Sequence, residues 1–311
     1  MKIKKIKRIE VDVQRPDKDD DWNIYIDTDS VFFSAVPLLD YRRPNWKDNE
    51  QGKIAEFVDE IAGEMQDYLN QFYDILAPRV FNVSKETHRL EIKKEYIAKA
   101  GIWVAKKRYA QWIIMNNGVP TDKLDVKGLD VVRSSFPTSF AKLMKTVLIE
   151  ILRDKTQDDL RDLIMTFKHN MGNLNVSEIS KNSSIKDIGK YLGDDHIPFR
   201  FKKGATAHVK AAIAYNDMLV HFNVPFKHSP IRDTDKIKWA YLKNNPFGIE
   251  TIGFIGYNDP PEIMEFINTY IDHDMLFERE LEKKLQDFYD VLGWGKVINE
   301  QRAAEQFFNF G

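Results

Sequence analysis

The stretch NIYIDTDSVFFSA, residues 23–35, sets Asp27 and Asp29 one residue apart between two runs that read as β-strand. The pattern predicts a β-hairpin with its polar tip at Asp27–Ser30. Aspartate is an ordinary turn residue, and a solvated carboxylate there costs little. Two aspartates at i and i+2 point to one face when both stand on a strand. Flanked by Ile24, Ile26, Val31 and Phe32, they would concentrate negative charge beside a buried sheet, which is unfavourable without a compensating cation. Mg²⁺ suits such a pair, because it binds through one or two carboxylates together with substrate phosphate oxygens. Two such ions clamp the attacking and leaving oxygens of an in-line phosphoryl displacement. From the residues alone, the metal reading and the plain solvated turn both stand.

The 311-residue chain is 43% hydrophobic and 12% aromatic, enough to bury a core as one large domain or two ordinary ones. Its net charge of −2 gives no global argument for a polyanionic partner. With no cysteine there is no disulfide, thiolate chemistry or cysteine zinc site. The seven histidines (His88, His169, His196, His208, His221, His228 and His273) show no metal-ligand spacing. No apolar run reaches the ~20 residues of a membrane span, and MKIKKIKRIEVDVQ lacks the apolar centre of a signal peptide. A soluble, intracellular chain is expected.

Residues 1–22 read as a short strand followed by an acidic turn, RPDKDDD. QGKIAEFVDEIAGEMQDYLNQFYDIL, residues 51–76, is an amphipathic helix, with Ile54, Phe57, Val58, Ile61, Met65, Tyr68, Leu69 and Phe72 on one stripe. Glu56, Asp59 and Asp67 fall on its wet face. From 89 to 133 the pattern is strand-like, broken by the turn NNGVP. Helical periodicity returns from Phe140 to Leu163. Residues 165–260 are mixed, with turns expected at 170–175, 182–184 and 193–196. Residues 259–294 read as two helices, with Pro260 and Pro261 at the first N-terminus.

Basic residues concentrate between 93 and 145, where eleven lysines and arginines face only Glu95, Asp122, Asp125 and Asp130. Within this span KKRYA joins Lys106, Lys107 and Arg108 to Tyr109, cations for phosphate beside a flat aromatic face. A lysine-protected strand edge is the plainer alternative. VKGLDVVRSSFP follows, with Gly128 allowing close backbone approach and Arg133 offering a forked phosphate donor.

These motifs together resemble those of the family B DNA polymerases. YIDTDS, residues 25–30, is similar to their third palm motif. LEIKKEYIAKAGIWVAKKRYA, residues 90–110, resembles the segment ending in their KKRYA element, and DVKGLDVVRSSFP resembles the K-G-x-x-x-x-R element at the entry to the thumb. HVKAAIAYN and NNPFG are similar to thumb segments of the T-even bacteriophage replicative polymerases. The resemblance runs from about residue 23 to the end. It implies that Asp29 binds both catalytic metals, with Asp27 a weaker ligand. It places Glu95 close to the active site, with Glu91 its companion. Lys107 and Tyr109 would touch the minor groove of the new duplex, and Arg133 a primer-template phosphate. Lys106, Arg108 and Lys127 join this DNA-binding set, with Lys202, Lys203 and Lys210 as further phosphate contacts. Ile26 departs from the glycine usual in the family. Gln301, Ala304, Phe307 and Phe308, with Phe310 beside them, fit the spacing of a sliding-clamp ligand; a terminal helix packing on its own domain is the alternative.

Other family motifs have no counterpart. The first palm motif, the fingers motif and the exonuclease motif are all missing from the sequence. The resemblance then implies the C-terminal part of a split replicative DNA polymerase from a virus, acting in the cytoplasm of an infected bacterium. It would share two Mg²⁺ ions with an N-terminal polypeptide and use deoxynucleoside triphosphates. Primer-template DNA and a sliding clamp would be its partners, with no membrane. The fold class expected is α+β: a partial antiparallel palm sheet with a packed helix over residues 1–137, a mostly helical thumb over 138–300, and a clamp-binding tail over 301–311. The part-sheet is expected to leave an exposed edge. A DNA- and clamp-binding module without catalysis is the alternative function.

Overall fold

Strands and helices are mixed in the computed structural model, which describes residues 23–192, 196–224 and 227–298. Among the described residues the strands gather into three sheets, in agreement with the α+β class. The chain divides into two compact units. Among the described residues, one holds those from Asn23 up to 98 together with 113–122; the other holds 99–112 and those from 123 to 298. The expected strand in residues 1–22 lies outside the described residues.

The first unit opens with the expected hairpin, β1 (Asn23–Asp27) and β2 (Ser30–Phe33), paired antiparallel with Ile26 opposite Val31 and Asp27 opposite Ser30. Helix α1 (Val36–Arg42) follows, and α2 (Gln51–Leu76) spans the residues its periodicity predicts. Arg42 pairs with Glu64 and Arg43 with Glu60, each at 2.6 Å, and the Arg43 guanidinium lies 4.2 Å over the Phe57 ring. The apolar stripe of α2 is covered only in part. Ile61 is buried, whereas Tyr68 is 71% and Phe72 46% exposed. Asp59 is also less open than a wet face implies, since its carboxylate meets Lys94 Nζ at 2.6 Å.

Residues 89–95 correct the sequence reading, for they form no strand. Side chains of α2 take up their backbone groups instead. Ile92 N–H donates to Asn70 Oδ1 at 2.8 Å, Asn70 Nδ2 returns a bond to Ile92 O at 3.0 Å, and Lys94 N–H donates to Gln66 Oε1 at 2.9 Å. An extended segment whose donors and acceptors are met by side chains has no need of a ladder.

The second sheet has the order β3 (Tyr96–Ala105), β4 (Arg108–Asn116), β5 (Val119–Lys127). Its strands are joined by two-residue turns at Lys106–Lys107 and Asn117–Gly118. Asn117 and Gly118 both have positive φ, 48° and 77°, as an Asn-Gly hairpin turn requires.

In the second unit the periodic stretch from Phe140 is two helices, α3 (Thr138–Ile151) and α4 (Gln157–Asn170). Thr156 breaks it by capping α4: its hydroxyl accepts from Asp159 N–H while the Asp159 carboxylate accepts from Thr156 N–H. The short α5 (Val176–Ile179) leads into β6 (Lys181–Ser184), α6 (Ile188–Leu192) and α7 (Ala207–His221). Strands β7 (Lys236–Tyr241) and β8 (Thr251–Phe254) complete an antiparallel sheet in the order β6-β7-β8. Residues 182–184 are therefore strand rather than the expected turn. Pairing with β7 and the bond from Trp239 Nε1 to Ser183 Oγ, 3.0 Å, override the turn preference of Asn and Ser.

This sheet packs against α7 through β7 and β8. Helix α7 is buried along Val209, Ala211, Ala212, Ile213, Ala214, Met218 and Leu219, the pattern of a helix enclosed on most sides. Gly253 on β8 meets it so closely that a Cβ there would lie 3.0 Å from Ala211 O. The two helices expected at 259–294 are α8 (Pro261–Tyr270) and a second run, α9 (His273–Leu276), a π segment (Phe277–Glu282) and α10 (Lys283–Val291). No helix among the described residues is long and apolar enough to cross a membrane.

Candidate functional site: a carboxylate hairpin and a cationic face

The first element is the tip of the β1–β2 hairpin. Asp27 ends β1, and Asp29 stands in the turn itself, so strand alternation does not govern the two carboxylates as the sequence reading supposed. Asp29 N–H donates to Asp27 O at 2.6 Å across Thr28, whose φ is 50°. A β-branched residue with positive φ at the centre of so tight a turn is strained. Such strain collects at functional sites. Thr28 Oγ1 donates to Asp27 Oδ1 at 3.3 Å and Ser30 Oγ to Asp27 O at 3.2 Å. The Tyr25 and Phe32 rings, 6.0 Å apart, brace the strands beneath.

The hairpin is not the buried sheet expected. Ile24, Ile26 and Val31 are 45%, 65% and 39% exposed, because among the described residues it is a two-stranded sheet with no third strand beside it. Ile26, at the family's usual glycine position, is the most open of the three. Its two aspartates offer hard oxygen donors of the kind Mg²⁺ takes. Glu95 lies exposed just before β3, its carbonyl accepting from Asn117 N–H at 2.7 Å, and Glu91 pairs with Lys93 at 3.3 Å. Among the described residues no three acidic or histidine side chains gather into a group able to hold a metal ion. The structure thus brings Asp27 and Asp29 together without adding Glu95 to them.

The second element is a cationic face in the other compact unit. KKRYA is a turn followed by a strand, not a strand throughout: Lys106 and Lys107 form the β3–β4 turn and Arg108 opens β4. Lys107 has φ 61°. Tyr109 stacks on Trp103 with centroids 6.1 Å apart. Gly128, φ 64°, lies against this turn, and an added Cβ would stand 2.0 Å from Lys107 O. Only glycine fits there.

Gly128 therefore locks the second motif onto the first. Around it, Arg133 Nη2 donates to Gly128 O at 3.4 Å and Arg133 Nη1 meets Asp130 Oδ1 at 3.2 Å. Arg108 Nη2 meets Asp287 Oδ2 at 2.9 Å and Asp130 Oδ2 at 3.7 Å. Lys127 pairs with Asp125 at 3.3 Å. The other predicted cations lie elsewhere in the unit. Lys202 and Lys203 are exposed before α7, and Lys210 on α7 faces Glu250 at 3.6 Å. Gln301, Phe307, Phe308 and Phe310 lie outside the described residues.

Asp130 and Asp287 were missed as partners of these cations. Asp130 stands three residues before Arg133, a spacing that could have flagged the pair. Asp287 is 179 residues from Arg108, and no local pattern joins them.

The family model for DNA polymerase family B matches residues 63–225, more than half of the chain. This chain belongs to DNA polymerase family B. It is 24% identical over 302 residues to a DNA-directed DNA polymerase of Enterobacteria phage T4, covering 93% of this chain and 32% of that protein. It is 22% identical over 299 residues to a DNA-directed DNA polymerase of Escherichia phage RB69, covering 90% of this chain and 31% of that one. The chain spans about a third of the length of these two polymerases.

Proposed function

We propose that this chain supplies the catalytic hairpin and the duplex-gripping part of a DNA-directed DNA polymerase, working inside an infected bacterium with a polypeptide that carries the remaining motifs. The hairpin would belong to a partial palm and the residues from about 138 to a thumb. The observation that carries the reading is the strained Thr28 turn holding Asp27 and Asp29 at the tip of an otherwise apolar hairpin.

In this reading Asp29 and Asp27 would hold Mg²⁺ jointly with an aspartate of the partner polypeptide, and Glu95 would stand near them. Held there, Mg²⁺ would supply positive charge to offset that of the triphosphate of a deoxynucleoside substrate. The residues of this chain bind and orient. Lys106, Lys127 and Arg133 would take phosphates of the primer-template duplex, and Lys107 and Tyr109, the tyrosine held by its stack on Trp103, would touch the minor groove. Lys202, Lys203 and Lys210 are proposed as further phosphate contacts. The tail from Gln301 to Phe310 is proposed to anchor a sliding clamp through its phenylalanines.

The experiment is primer extension by the chain alone and after mixing with an N-terminal polymerase polypeptide bearing the exonuclease, fingers and first palm motifs. Extension only in the mixture supports the reading. Duplex binding without extension in either would favour a non-catalytic binding module.

A further inference from the structure

Arg108 belongs to the basic motif, yet its guanidinium is turned toward carboxylates. One terminal nitrogen meets Asp287 Oδ2 at 2.9 Å and Asp130 Oδ2 at 3.7 Å, and its Nε is buried. The other oxygen of Asp130 meets Arg133 Nη1 at 3.2 Å. Asp130 thus stands between the two basic motifs, its side chain only 15% exposed. Arg133 is gripped at both terminal nitrogens, by Asp130 and by Gly128 O at 3.4 Å. Two such bonds leave further donors of its five-donor fork for an outside oxygen.

We infer that Asp130 is a positioning residue: with Arg108 as a strut to Asp287, it fixes Arg133 and the Lys106–Lys107 turn as one phosphate-gripping unit. The inference rests on the proposal that this face holds duplex DNA. It makes a counter-intuitive demand on sign. A carboxylate in a cationic face should repel a polyanion, and removing it should tighten binding if charge alone decided. Where the carboxylate instead holds an arginine in its binding geometry, removing it restores rotamer freedom that binding must then suppress. The bonds at both ends of the Arg133 fork favour the second effect.

The test measures binding of the full chain to a mixed-sequence primer-template duplex across a series of salt concentrations. Asp130→Asn is expected to weaken binding about fivefold and to make the salt dependence shallower by about one counterion, as loss of one phosphate contact does. Asp130→Glu should restore part of the loss. In an Arg133→Ala background Asp130→Asn should add nothing, since the two act through one another. Tighter binding by Asp130→Asn, or weaker binding with an unchanged slope, overturns the inference. If Asp130→Asn does not fold, Arg108→Lys serves, keeping the charge but losing the fork. It should weaken binding about as much, and unchanged binding overturns the inference. Failure of the unmodified chain to bind the duplex at low salt would remove the DNA reading and this inference with it; wild-type binding with a contrary Asp130→Asn result removes this inference alone.

Discussion

Gly128 and Lys107 meet backbone to backbone: a Cβ on Gly128 would stand 2.0 Å from the Lys107 carbonyl oxygen. Through this contact the K-G-x-x-x-x-R element and the KKRYA turn are set against each other, although twenty residues separate them in sequence. Gly128→Ala meets two penalties at once, a positive φ of 64° and a backbone collision. It is expected to destabilise the fold by about 1–3 kcal/mol. Duplex binding should weaken even at temperatures where the variant is fully folded. Thermal melting and a binding titration check the two effects separately.

Arg133 is expected to act through a phosphate rather than a base. Arg133→Ala should weaken binding of all duplex sequences alike and reduce the salt slope by roughly one. Titrations of two duplexes of different sequence, each at several salt concentrations, read both effects. A loss confined to one sequence would argue against a phosphate contact.

Asp29→Asn separates catalysis from grip. In the reconstituted polymerase it should abolish primer extension, because it removes a metal ligand, while duplex binding by the chain stays within about twofold. The turn at the hairpin tip closes through the main chain, Asp29 N–H to Asp27 O. The fold should therefore survive the change.

The capping box of α4 gives a stability test remote from the DNA-binding motifs. Thr156→Ala removes the hydroxyl that accepts from Asp159 N–H and should cost roughly 1 kcal/mol. Bonds from the Thr156 backbone and hydroxyl hold the Asp159 carboxyl below its ordinary value. A depressed carboxylate contributes stability above its unfolded value and loses it as pH falls through the folded one. The advantage of the native residue should thus be full near neutrality and shrink below the ordinary carboxylate range. Melting curves at neutral and acid pH check the sign.

The sequence marked those elements whose signals are local. The hairpin at 23–33 showed in its two apolar runs, α2 in eight apolar positions at helical spacing, and the Asn117–Gly118 turn in its dipeptide. What escaped depended on distant partners. Residues 89–95 look like a strand but bond to Asn70 and Gln66 of a helix. Residues 182–184 look like a turn but pair with β7.

The candidate site divides the same way. Asp27, Asp29, the KKRYA cations and Arg133 were legible as motifs. Their geometry was not: Thr28 takes a strained φ that its residue type disfavours, Lys107 turned out to lie in a turn, and Asp287 reaches Arg108 across 179 residues. Periodicity also overstated burial. It placed Tyr68 and Phe72 on a core-facing stripe, and both are exposed. Hydrophobic spacing reports which residues share a face, not whether anything covers it.

The Asp27–Asp29 hairpin is proposed as one side of a metal site completed by another polypeptide. Primer extension tests it most directly, with the chain alone, an N-terminal polymerase polypeptide alone, and the two mixed in Mg²⁺. Extension is expected only in the mixture, and none when the mixture carries Asp29→Asn. Sustained extension by this chain alone would contradict it.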